Sequence, residues 1–476
     1  MEKVVDLNRW QKAHVKSQSE LEALFEEMGA LYQTEPYASL DARQARLEKL
    51  KLALLKFQPE LEKALCDDYG YRSEFDSTIC DLLPAVEHIS YTIKHLKRWM
   101  KPSKRRAGLM LAPSKLEVIY QPLGVVGVIV PWNFPIFLSI GPIATAIAAG
   151  NRVMVKLSEH TPNTNQILSQ ILSFVDDHVF VVEGDVEIAQ YFSQLPFDHL
   201  LFTGSTKVGT LVAEQAARNL TPVTLELGGK SPVIIAPDAD IDKAVDAVLM
   251  AKSINAGQIC VAPDYVLLPQ ELEAQFIERY LNRYREIFID SGKPLTQIIN
   301  QAQFDRLASY VDDAQQKGAT VHTIKAKSLH ERTMLPHLLT NLSDGMVVMQ
   351  EEIFGPVLPI VGYRHIHQVF EYIENRPRPL ALYLMSKDKK LIEQVRTQTH
   401  SGGLCINDTL MHVSAKDAPF GGVGHSGMGH YHGIEGFRTF SKAKTVLTSP
   451  AWLPRSTWLM EHQMPLKKLL SKLFLR

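Results

Sequence analysis

The feature that most constrains the fold of this sequence is a repeated alternation between short β-branched runs and helical segments. The run LGVVGVIV, at 123–130, is continuously apolar, which is typical of a strand buried on both faces. Similar runs lie at 152–157, 179–184 and 199–204, each ahead of a segment with helical spacing, and VTLELGG at 223–229 ends the series. This order predicts a parallel, doubly wound sheet with helices on both faces, whose ligands bind at the carboxyl ends of its strands.

Helical periodicity also covers residues 18–66 and 81–100, and a further helix is predicted to begin at Thr164. The basic stretch KPSKRRAG, at 101–108, is predicted to be a loop. A second α/β stretch contains the strands SPVIIAP and DYVLLP and helices near 271–290 and 301–317. The fold class is therefore α/β, with a Rossmann-like cofactor domain and a second α/β catalytic domain.

Composition excludes several kinds of partner. The chain of 476 residues has a formal net charge of -1, so no overall field attracts nucleic acid or an anionic surface. The amino terminus lacks the apolar stretch of a signal peptide. The longest apolar run, at 135–150, is shorter than a bilayer span and is interrupted by Gly141 and Pro142. We therefore expect a cytoplasmic protein without a membrane span.

The four cysteines, Cys66, Cys80, Cys260 and Cys405, are too few and too scattered for a disulfide framework, and no pair has metal-ligand spacing. No metal site is expected, and a reducing compartment suits them. A free buried cysteine usually packs as a small hydrophobe, which is the prediction for all of them except Cys260. Cys260, in SINAGQICVAP, differs because two other motifs supply the groups that a thiol nucleophile needs.

A nucleophilic thiol requires a donor for the oxyanion and, if water releases its adduct, a base. Asn133 lies between two prolines in PWNFP, so a stiff turn aims its amide; an ordinary turn asparagine is the alternative. Glu226 lies at a strand end between Leu225 and Leu227, where burial would raise its pKa toward that of a general base; a surface glutamate is the alternative. The coincidence of both with Cys260 favours covalent catalysis.

Other residues follow predicted strands at positions that suit a cofactor. Gly204 and Ser205 join a strand to a helix, where free N–H groups attract an anion, although the spacing fits neither a dinucleotide fingerprint nor a P-loop. Lys156 and Glu159 suit the hydroxyls of an adenosine ribose, and a solvated ion pair is the alternative. The motif QEEIFGPVLP adds Glu352 and Phe354 as polar and aromatic residues without an assigned role at this point, and Trp132 stands beside Asn133.

Taken together, these motifs resemble those of the aldehyde dehydrogenase superfamily. PWNFP, FTGSTKVG, LELGGK, GQIC, EEIFGPV and PFGGVGHSG appear in the family's order, and Cys260 lies 34 positions after Glu226, the family's spacing. The glycine-rich FGGVGHSGMGHYHG is similar to the class 3 branch, and within it to bacterial coniferyl aldehyde dehydrogenases. The resemblance covers about residues 100–450.

The resemblance implies oxidation of an aldehyde to a carboxylic acid with NAD(P). Cys260 would attack the aldehyde, Asn133 and the Cys260 N–H would hold the oxyanion, and Glu226 would activate the water that hydrolyses the thioester. The implied cofactor contacts are Lys156 and Glu159 at the adenosine ribose, Ser205 at the pyrophosphate, Glu352 and Phe354 at the nicotinamide ribose and ring, and additionally Trp132 and Gly204.

The sequence indicates a preference between cofactors and leaves more than one class of aldehyde open. Glu159 would repel a 2′-phosphate, which favours NAD, although class 3 relatives often accept NADP. His425 stands where the class more often has asparagine, and it is predicted to be satisfied within its own loop. Coniferyl aldehyde and medium-chain or lipid-derived aldehydes both stay open as substrates. The pocket walls are predicted to include the region around Tyr91, His412 and Val413.

The resemblance also implies a domain division and a homodimer. The predicted ranges are 1–102 and 122–226 for the NAD(P)-binding domain, 227–436 for the catalytic domain, 103–121 and 437–455 for an oligomerisation ribbon, and 456–476 for an amphipathic tail. The ribbon would pair with a neighbouring subunit, since edge strands invite such pairing. The tail carries a leucine-rich face opposite lysines, and its docking on the dimer is favoured over peripheral membrane contact.

Three rival functions are less compatible with these residues. A coenzyme A-acylating dehydrogenase typically lacks the base in LELGGK, and Glu226 is present. A non-redox cysteine hydrolase needs a histidine partner for Cys260, and none of the 17 histidines lies in a motif that suggests one. An inactive dehydrogenase-fold binding protein would be expected to have lost Cys260, Glu226 or Asn133, and all three are present.

Overall fold

The computed structural model describes residues 13–15, 17–326 and 329–475, and within them two seven-stranded sheets and one three-stranded sheet. The strands are β1 (Ala13–His14), β2 (Ser103–Arg105), β3 (Lys115–Pro122), β4 (Val125–Ile129), β5 (Arg152–Lys156), β6 (Val179–Glu183), β7 (His199–Thr203), β8 (Val223–Glu226), β9 (Pro232–Ile235), β10 (Tyr265–Pro269), β11 (Thr320–Thr323), β12 (His337–Thr340), β13 (Val357–Tyr363), β14 (Ala381–Met385), β15 (Gly403–Ile406), β16 (Gly427–Met428) and β17 (Ser441–Thr448).

The helices surround these sheets. They are α1 (Gln18–Thr34), α2 (Leu40–Lys56), α3 (Gln58–Tyr69), α4 (Glu74–Ser77), α5 (Leu83–Trp99), α6 (Phe137–Ala149), α7 (Pro162–Leu172), α8 (Val186–Ser193), α9 (Thr206–Ala217), α10 (Ile241–Ser253), α11 (Glu273–Tyr284), α12 (Gln301–Gln316), α13 (Val347–Gln350), α14 (His367–Glu374), α15 (Lys389–Gln398), α16 (Gly433–Thr439), α17 (Arg455–Glu461) and α18 (Gln463–Phe474). Single π-helical turns, at Thr78–Leu82 and Arg285–Ile289, follow α4 and α11. No helix among the described residues is long and apolar enough to cross a bilayer.

The first sheet has the order β1-β6-β5-β4-β7-β8-β16 and is parallel except for β16. Val126 and Val128 face a core shared with α2, α5 and α6, whereas Val125 and Ile129 face a second core on the opposite side. This burial on both faces explains why the central strands lack polar alternation. The strand order reverses at β4, with β5 on one side and β7 on the other, so a crevice forms at the carboxyl ends of β4 and β7.

The second sheet has the order β11-β12-β13-β10-β9-β14-β15 and is parallel apart from the β11 edge. Helices α10 and α11 pack on one of its faces. The loop that contains Cys260 joins α10 to β10, so the sheet fixes both ends of this loop.

A third sheet is small and antiparallel, with the order β17-β3-β2. Strand β17 pairs with β3 from Ser441 opposite Pro122 to Thr448 opposite Lys115. The predicted basic loop is wrong at Ser103–Arg105, which is a strand. Its backbone pairs with β3 at the sheet edge, where the lysine and arginine side chains remain exposed, so charge did not prevent strand formation.

The predicted α/β fold class is confirmed, with local differences. Helix α7 begins at Pro162 and not at Thr164, because proline suits the first turn of a helix. The Asp68 carboxylate, from a distant helix, also accepts the N–H groups of Asn163 and Thr164 at 2.9 Å each, which satisfies the start of α7. A cap supplied across such a sequence distance leaves no local signal.

Candidate active site

The loop before Cys260 has an unusual backbone. Asn255 and Ala256 adopt positive φ angles of 48° and 52°, and Gly257 follows at 73°. A Cβ on Gly257 would lie 2.7 Å from the Gly355 carbonyl oxygen, so this position requires glycine. Three consecutive left-handed residues turn the chain sharply out of α10 and bring Cys260 back over the sheet.

Gln258 holds this loop in place. Its Nε2 donates to the carbonyls of Asn255, at 2.9 Å, and Gln297, at 3.1 Å. Its Oε1 accepts the N–H of Ile299 at 3.0 Å. The side chain is fully buried, so these bonds are shielded from competition with water. The position of the Cys260 thiol is thereby fixed from two residues away.

The Cys260 thiol is partly exposed to an internal cavity. Burial, together with the nearby carboxyls of Glu352 and Glu226, raises the pKa of Cys260 to about 12. The thiol form therefore dominates at neutral pH, and attack on an electrophile requires a group that takes the proton. The carboxyls of Glu352 and Glu226 are close enough to the thiol to serve as that group.

Asn133 lies where β4 ends and α6 is about to begin, and it is only 3% exposed. Its Nδ2 donates to the Gln258 carbonyl at 3.2 Å, which ties this amide to the loop of the nucleophile. An amide nitrogen carries two hydrogens, so one N–H remains to bind a substrate oxygen. The structure thus brings Asn133 and the Cys260 loop together, as the sequence predicted.

Glu226 is the last residue of β8 and is only 3% exposed. Burial raises its pKa well above the usual range of a glutamate, and within the described residues neither carboxylate oxygen has a hydrogen-bond partner. The backbone is held on both sides: the Glu226 carbonyl accepts the N–H of Gly204, and the Leu227 N–H donates to Ser426, both at 3.1 Å. A fixed, desolvated carboxyl of this kind suits a general base.

A cavity of about 670 Å³ adjoins Cys260, and its wall combines aromatic rings with a larger number of aliphatic side chains. The aromatic lining residues are Tyr71, Phe75, Phe134, Phe137, Phe288, Phe420, Tyr431 and His432. Polar lining groups are few, and the others are mostly aliphatic. Such a cavity accepts an apolar, planar molecule whose reactive end reaches the thiol.

The predicted cavity wall is confirmed for the region around His412 and Val413, where Met411, Val413 and Ser414 line the cavity, and wrong for Tyr91. The His412 side chain itself is not part of the lining. The Tyr91 hydroxyl instead donates to Asp417, and His412 packs beneath Gly403. Cys80, predicted to be a packing residue, lines the cavity, because the π-helical turn at Thr78–Leu82 directs it there.

Lys156 ends β5 and Ser205 follows β7, the two strands that flank β4 in the first sheet. Lys156 is 2% exposed; its Nζ donates to the Leu157 carbonyl at 2.8 Å and lies 3.4 Å from Glu159 Oε2. Ser205 caps α9 by accepting the Val208 N–H at 3.4 Å, and other N–H groups of this turn remain free for an anion. A buried cation beside a carboxylate and a helix start that can receive phosphate fit a dinucleotide.

A second group of cofactor candidates lies between the two large sheets. The rings of Trp132 and Phe354 meet edge to face, with centroids 5.4 Å apart. Burial, reinforced by the charge of Asp264, raises the pKa of Glu352 to about 8. A Cβ on Gly228 would lie 2.1 Å from Glu352 Oε1, so this glycine lets the carboxylate approach the chain. Glu352 is also close enough to Cys260 to raise the pKa of that thiol, so this carboxyl lies near the nucleophile.

His425 was predicted to be satisfied within its own loop, and in the structure its backbone instead links two segments. Its side chain is exposed, and its carbonyl accepts the Thr206 hydroxyl at 3.0 Å, which ties the glycine-rich loop to α9. Gln258 was overlooked although it is part of the GQIC motif. Among the described residues, no group of three or more histidine, cysteine, aspartate or glutamate side chains could hold a metal ion.

Comparisons with known proteins agree with this site. The profile of the "Aldehyde dehydrogenase family" matches residues 5–446. The "Probable coniferyl aldehyde dehydrogenase" of Pseudomonas aeruginosa is 48% identical over 462 residues, which cover 96% of this chain and 97% of that protein. The "4,4'-diaponeurosporen-aldehyde dehydrogenase" of Staphylococcus aureus is 36% identical over 432 residues, or 90% of this chain and 93% of that protein.

The solved structures agree as well. AldH of Staphylococcus aureus, in a substrate-bound state, has a TM-score of 0.89 to this chain at 34% identity, covering 96% of this chain and 99% of its own. Lactaldehyde dehydrogenase of Escherichia coli, at 23% identity and a TM-score of 0.82, shares the fold. The chain belongs to the aldehyde dehydrogenase family and is an oxidoreductase that acts on aldehydes.

Proposed function

We propose that this aldehyde dehydrogenase oxidises aromatic aldehydes of the coniferyl type to carboxylic acids, with NAD preferred over NADP. The observation that carries the substrate class is the set of aromatic side chains within the apolar wall of the cavity next to Cys260. Two relatives named as coniferyl aldehyde dehydrogenases, at 48% and 45% identity, support the same choice. The four cysteines are free, in keeping with a cytoplasmic enzyme.

The chemistry that we assign begins at Cys260. Its Sγ adds to the aldehyde carbon after the thiol proton passes to a nearby carboxylate, for which Glu352 and Glu226 are the candidates, and from there to solvent. The carbonyl electron pair moves to oxygen, where the free N–H of Asn133 and the Cys260 backbone N–H stabilise the negative charge. The bound nicotinamide supplies the acceptor for the hydride that leaves the adduct.

Hydrolysis completes the cycle. A thioester then links Cys260 to the acyl group, and Glu226 removes a proton from a water molecule that attacks the acyl carbon. The acyl–sulfur bond breaks, the acid leaves and the sulfur is regenerated. We assign Lys156, Glu159, Gly204, Ser205, Trp132, Glu352 and Phe354 to the dinucleotide, with Lys156 and Glu159 at the adenosine ribose.

The substrate class is tested by comparing kcat/KM for coniferyl aldehyde, benzaldehyde and octanal, followed by absorbance at 340 nm. We expect a value for coniferyl aldehyde at least about tenfold above that for octanal, because aromatic walls discriminate by contact with a planar ring. Equal values for the two would contradict the proposed substrate class while leaving aldehyde oxidation intact.

Glu159 is expected to control the choice between NAD and NADP. Its carboxylate would lie near the adenosine ribose and repel a 2′-phosphate. Glu159→Gln should therefore raise kcat/KM for NADP by about tenfold relative to that for NAD. The exposed Glu187→Gln serves as the matched control and should leave the ratio unchanged. A ratio that Glu159→Gln does not alter would remove this assignment.

We also propose a homodimer formed through the three-stranded sheet. Strand β17 lies at the edge of that sheet, and most of its residues are exposed. An exposed edge of this kind pairs readily with another chain. Light scattering at micromolar concentration should give twice the mass of one chain, and a monomeric mass would contradict the dimer.

The tail is assigned to the same interface. None of the residues of α18 is buried, and Leu469, Leu473 and Phe474 are more than half exposed. Arg455, at the start of α17, donates to the Leu111 carbonyl at 2.7 Å, which keeps the tail beside the small sheet. We therefore propose that a second subunit, paired at β17, covers the exposed apolar residues of α18. If the intact protein binds anionic vesicles and a chain ending at Pro454 does not, membrane contact replaces docking.

A further inference from the structure

Residues 69–81, which we call the clamp segment, line part of the cavity. They also contact the turn that contains Asn133 and the loop that precedes Cys260. The segment comprises the end of α3, the short α4 and most of the π-helical turn. It supplies six residues to the cavity wall, namely Tyr71, Ser73, Phe75, Asp76, Ile79 and Cys80. π-Helical turns are rare and recur at functional sites.

Three donors converge on one atom, the backbone carbonyl oxygen of Asn133. The Arg72 Nη1 donates at 2.9 Å, the Tyr69 hydroxyl at 3.2 Å and the Asn255 Nδ2 at 3.2 Å. A carbonyl oxygen has two lone pairs, so three donors saturate it and fix the peptide plane between Asn133 and Phe134. Two of these donors belong to the clamp segment, and the third belongs to the loop that precedes Cys260.

Arg72 is the charged member of this set, and it is buried. Its guanidinium lies 4.9 Å from the Tyr69 ring centroid and 5.1 Å from that of Phe134, so two rings hold its plane. Its described hydrogen bond goes to the Asn133 carbonyl. A charge-assisted bond in a dry site is stronger than a neutral one, so Arg72 is the main constraint on this carbonyl.

Asp81 binds the segment that follows Asn133 at its other end, at Phe137. It is fully buried, its Oδ1 accepts the Phe137 N–H at 2.6 Å, and its Oδ2 lies 3.7 Å from Arg72 Nη2. Arg72 and Asp81 therefore form one ion pair that holds the turn of Asn133 at both ends. A buried ion pair is weak evidence for stability, but it is well suited to fixing one geometry.

The other catalytic loop is tied to the same segment. Asp76 accepts the Asn255 N–H at 2.9 Å and the Thr296 hydroxyl at 2.8 Å. The clamp segment thus contacts the turn of Asn133 and the loop of Cys260 at once. Fixing the carbonyl of Asn133 also fixes its Cα–Cβ bond, and hence the direction of the amide.

We propose that Arg72 is a positioning residue for the oxyanion site and acts through the Asn133 carbonyl. Without it, the peptide after Asn133 gains freedom, and the amide N–H is no longer held where negative charge develops. The inference rests on the proposed role of Asn133. Arg72 does not line the cavity, so its effect falls on the reaction barrier and not on substrate affinity.

A double-mutant cycle tests this. Arg72→Met is made together with Asp81→Asn, so that no carboxylate is left buried alone, and Asp81→Asn by itself is the reference. Removal of Arg72 should lower kcat and kcat/KM for aldehyde together by about 10- to 100-fold, with KM unchanged within about twofold. In an Asn133→Ala background, removal of Arg72 should lower kcat and kcat/KM by less than about twofold, because the amide that Arg72 orients is absent.

Tyr69→Phe is the second variant, and it removes only the hydroxyl. It should lower kcat by about threefold to tenfold, and this loss should also vanish in the Asn133→Ala background. If the Arg72 variant does not fold, Tyr69→Phe tests on its own whether the contacts to the Asn133 carbonyl orient the amide. Alkylation of Cys260 by iodoacetamide needs no oxyanion site and should proceed within about twofold of the wild-type rate in both variants.

Three outcomes overturn the inference. Equal losses with and without Asn133 mean that Arg72 acts elsewhere. A rise in KM at constant kcat means that Arg72 only shapes the cavity. Slowed alkylation means that the whole Cys260 loop has moved. If Asn133→Ala alone keeps full activity, the proposed role of Asn133 fails first, and this result is separate from the other three.

Discussion

The Cys260→Ala variant should produce no NADH from any aldehyde while still folding and binding NAD. We expect kcat/KM to fall by at least about 10⁴-fold, because no other described group adjoining the cavity combines a thiol with an adjacent base and an oxyanion donor. Cofactor binding, measured by quenching of tryptophan fluorescence, should persist, since our cofactor assignments do not include this thiol.

The chain offers two matched controls for this prediction. Cys80 lines the same cavity, and Cys405 lies on β15 outside it. Both replacements by alanine should keep activity within about threefold of wild type, because neither removes the nucleophile. If Cys80→Ala abolishes turnover and Cys260→Ala does not, the assignment of the nucleophile is wrong.

The Glu226→Gln variant should separate the two halves of the reaction. Glutamine keeps the shape of the side chain but accepts no proton, so hydrolysis of the thioester should stall. Rapid mixing with NAD and aldehyde should then give a burst approaching one NADH per active site, followed by steady turnover reduced by about 10³-fold. Loss of the burst as well would mean that Glu226 is also required to deprotonate the Cys260 thiol.

The pH profile gives an independent check on Glu226. A general base works only when deprotonated, and burial raises the pKa of Glu226 well above the usual range of a glutamate. Wild-type kcat should therefore fall as the pH falls through that raised pKa, and this fall should begin at a higher pH than for an ordinary glutamate. Glu226→Gln should flatten this limb. An unchanged limb in the variant would assign it to another group.

Much of the site could be predicted because each catalytic group lies in a short, distinctive motif at the end of a strand. Asn133, Glu226 and Cys260 each follow or end an apolar run, and parallel strands bring such ends to one edge of a sheet. The burial of Glu226 was predictable from its leucine neighbours and is observed. Local pattern was sufficient wherever the chain itself positions the residue.

The remainder depends on contacts between distant segments. Tyr69, the last residue of α3, and Arg72, in the loop after it, bond to the Asn133 carbonyl, and nothing near them in the sequence marks this. The wall of the cavity is similarly assembled from separate loops, so Cys80 could not be distinguished from a packing residue. The strand at Ser103–Arg105 was missed because it forms through backbone pairing with β3 and not through an apolar pattern of its own. These features require the three-dimensional arrangement.

The pairing of β16 with β8 bears on how the enzyme matures. Gly427 lies opposite Glu226, and the Ser426 carbonyl accepts the Leu227 N–H, so the base is held in part by residues near the end of the chain. During synthesis, Cys260 and Glu226 emerge from the ribosome long before Ser426. A nascent or truncated chain therefore carries the thiol without the backbone support of its base. Catalysis by this base therefore depends on a segment that is synthesised well after the nucleophile.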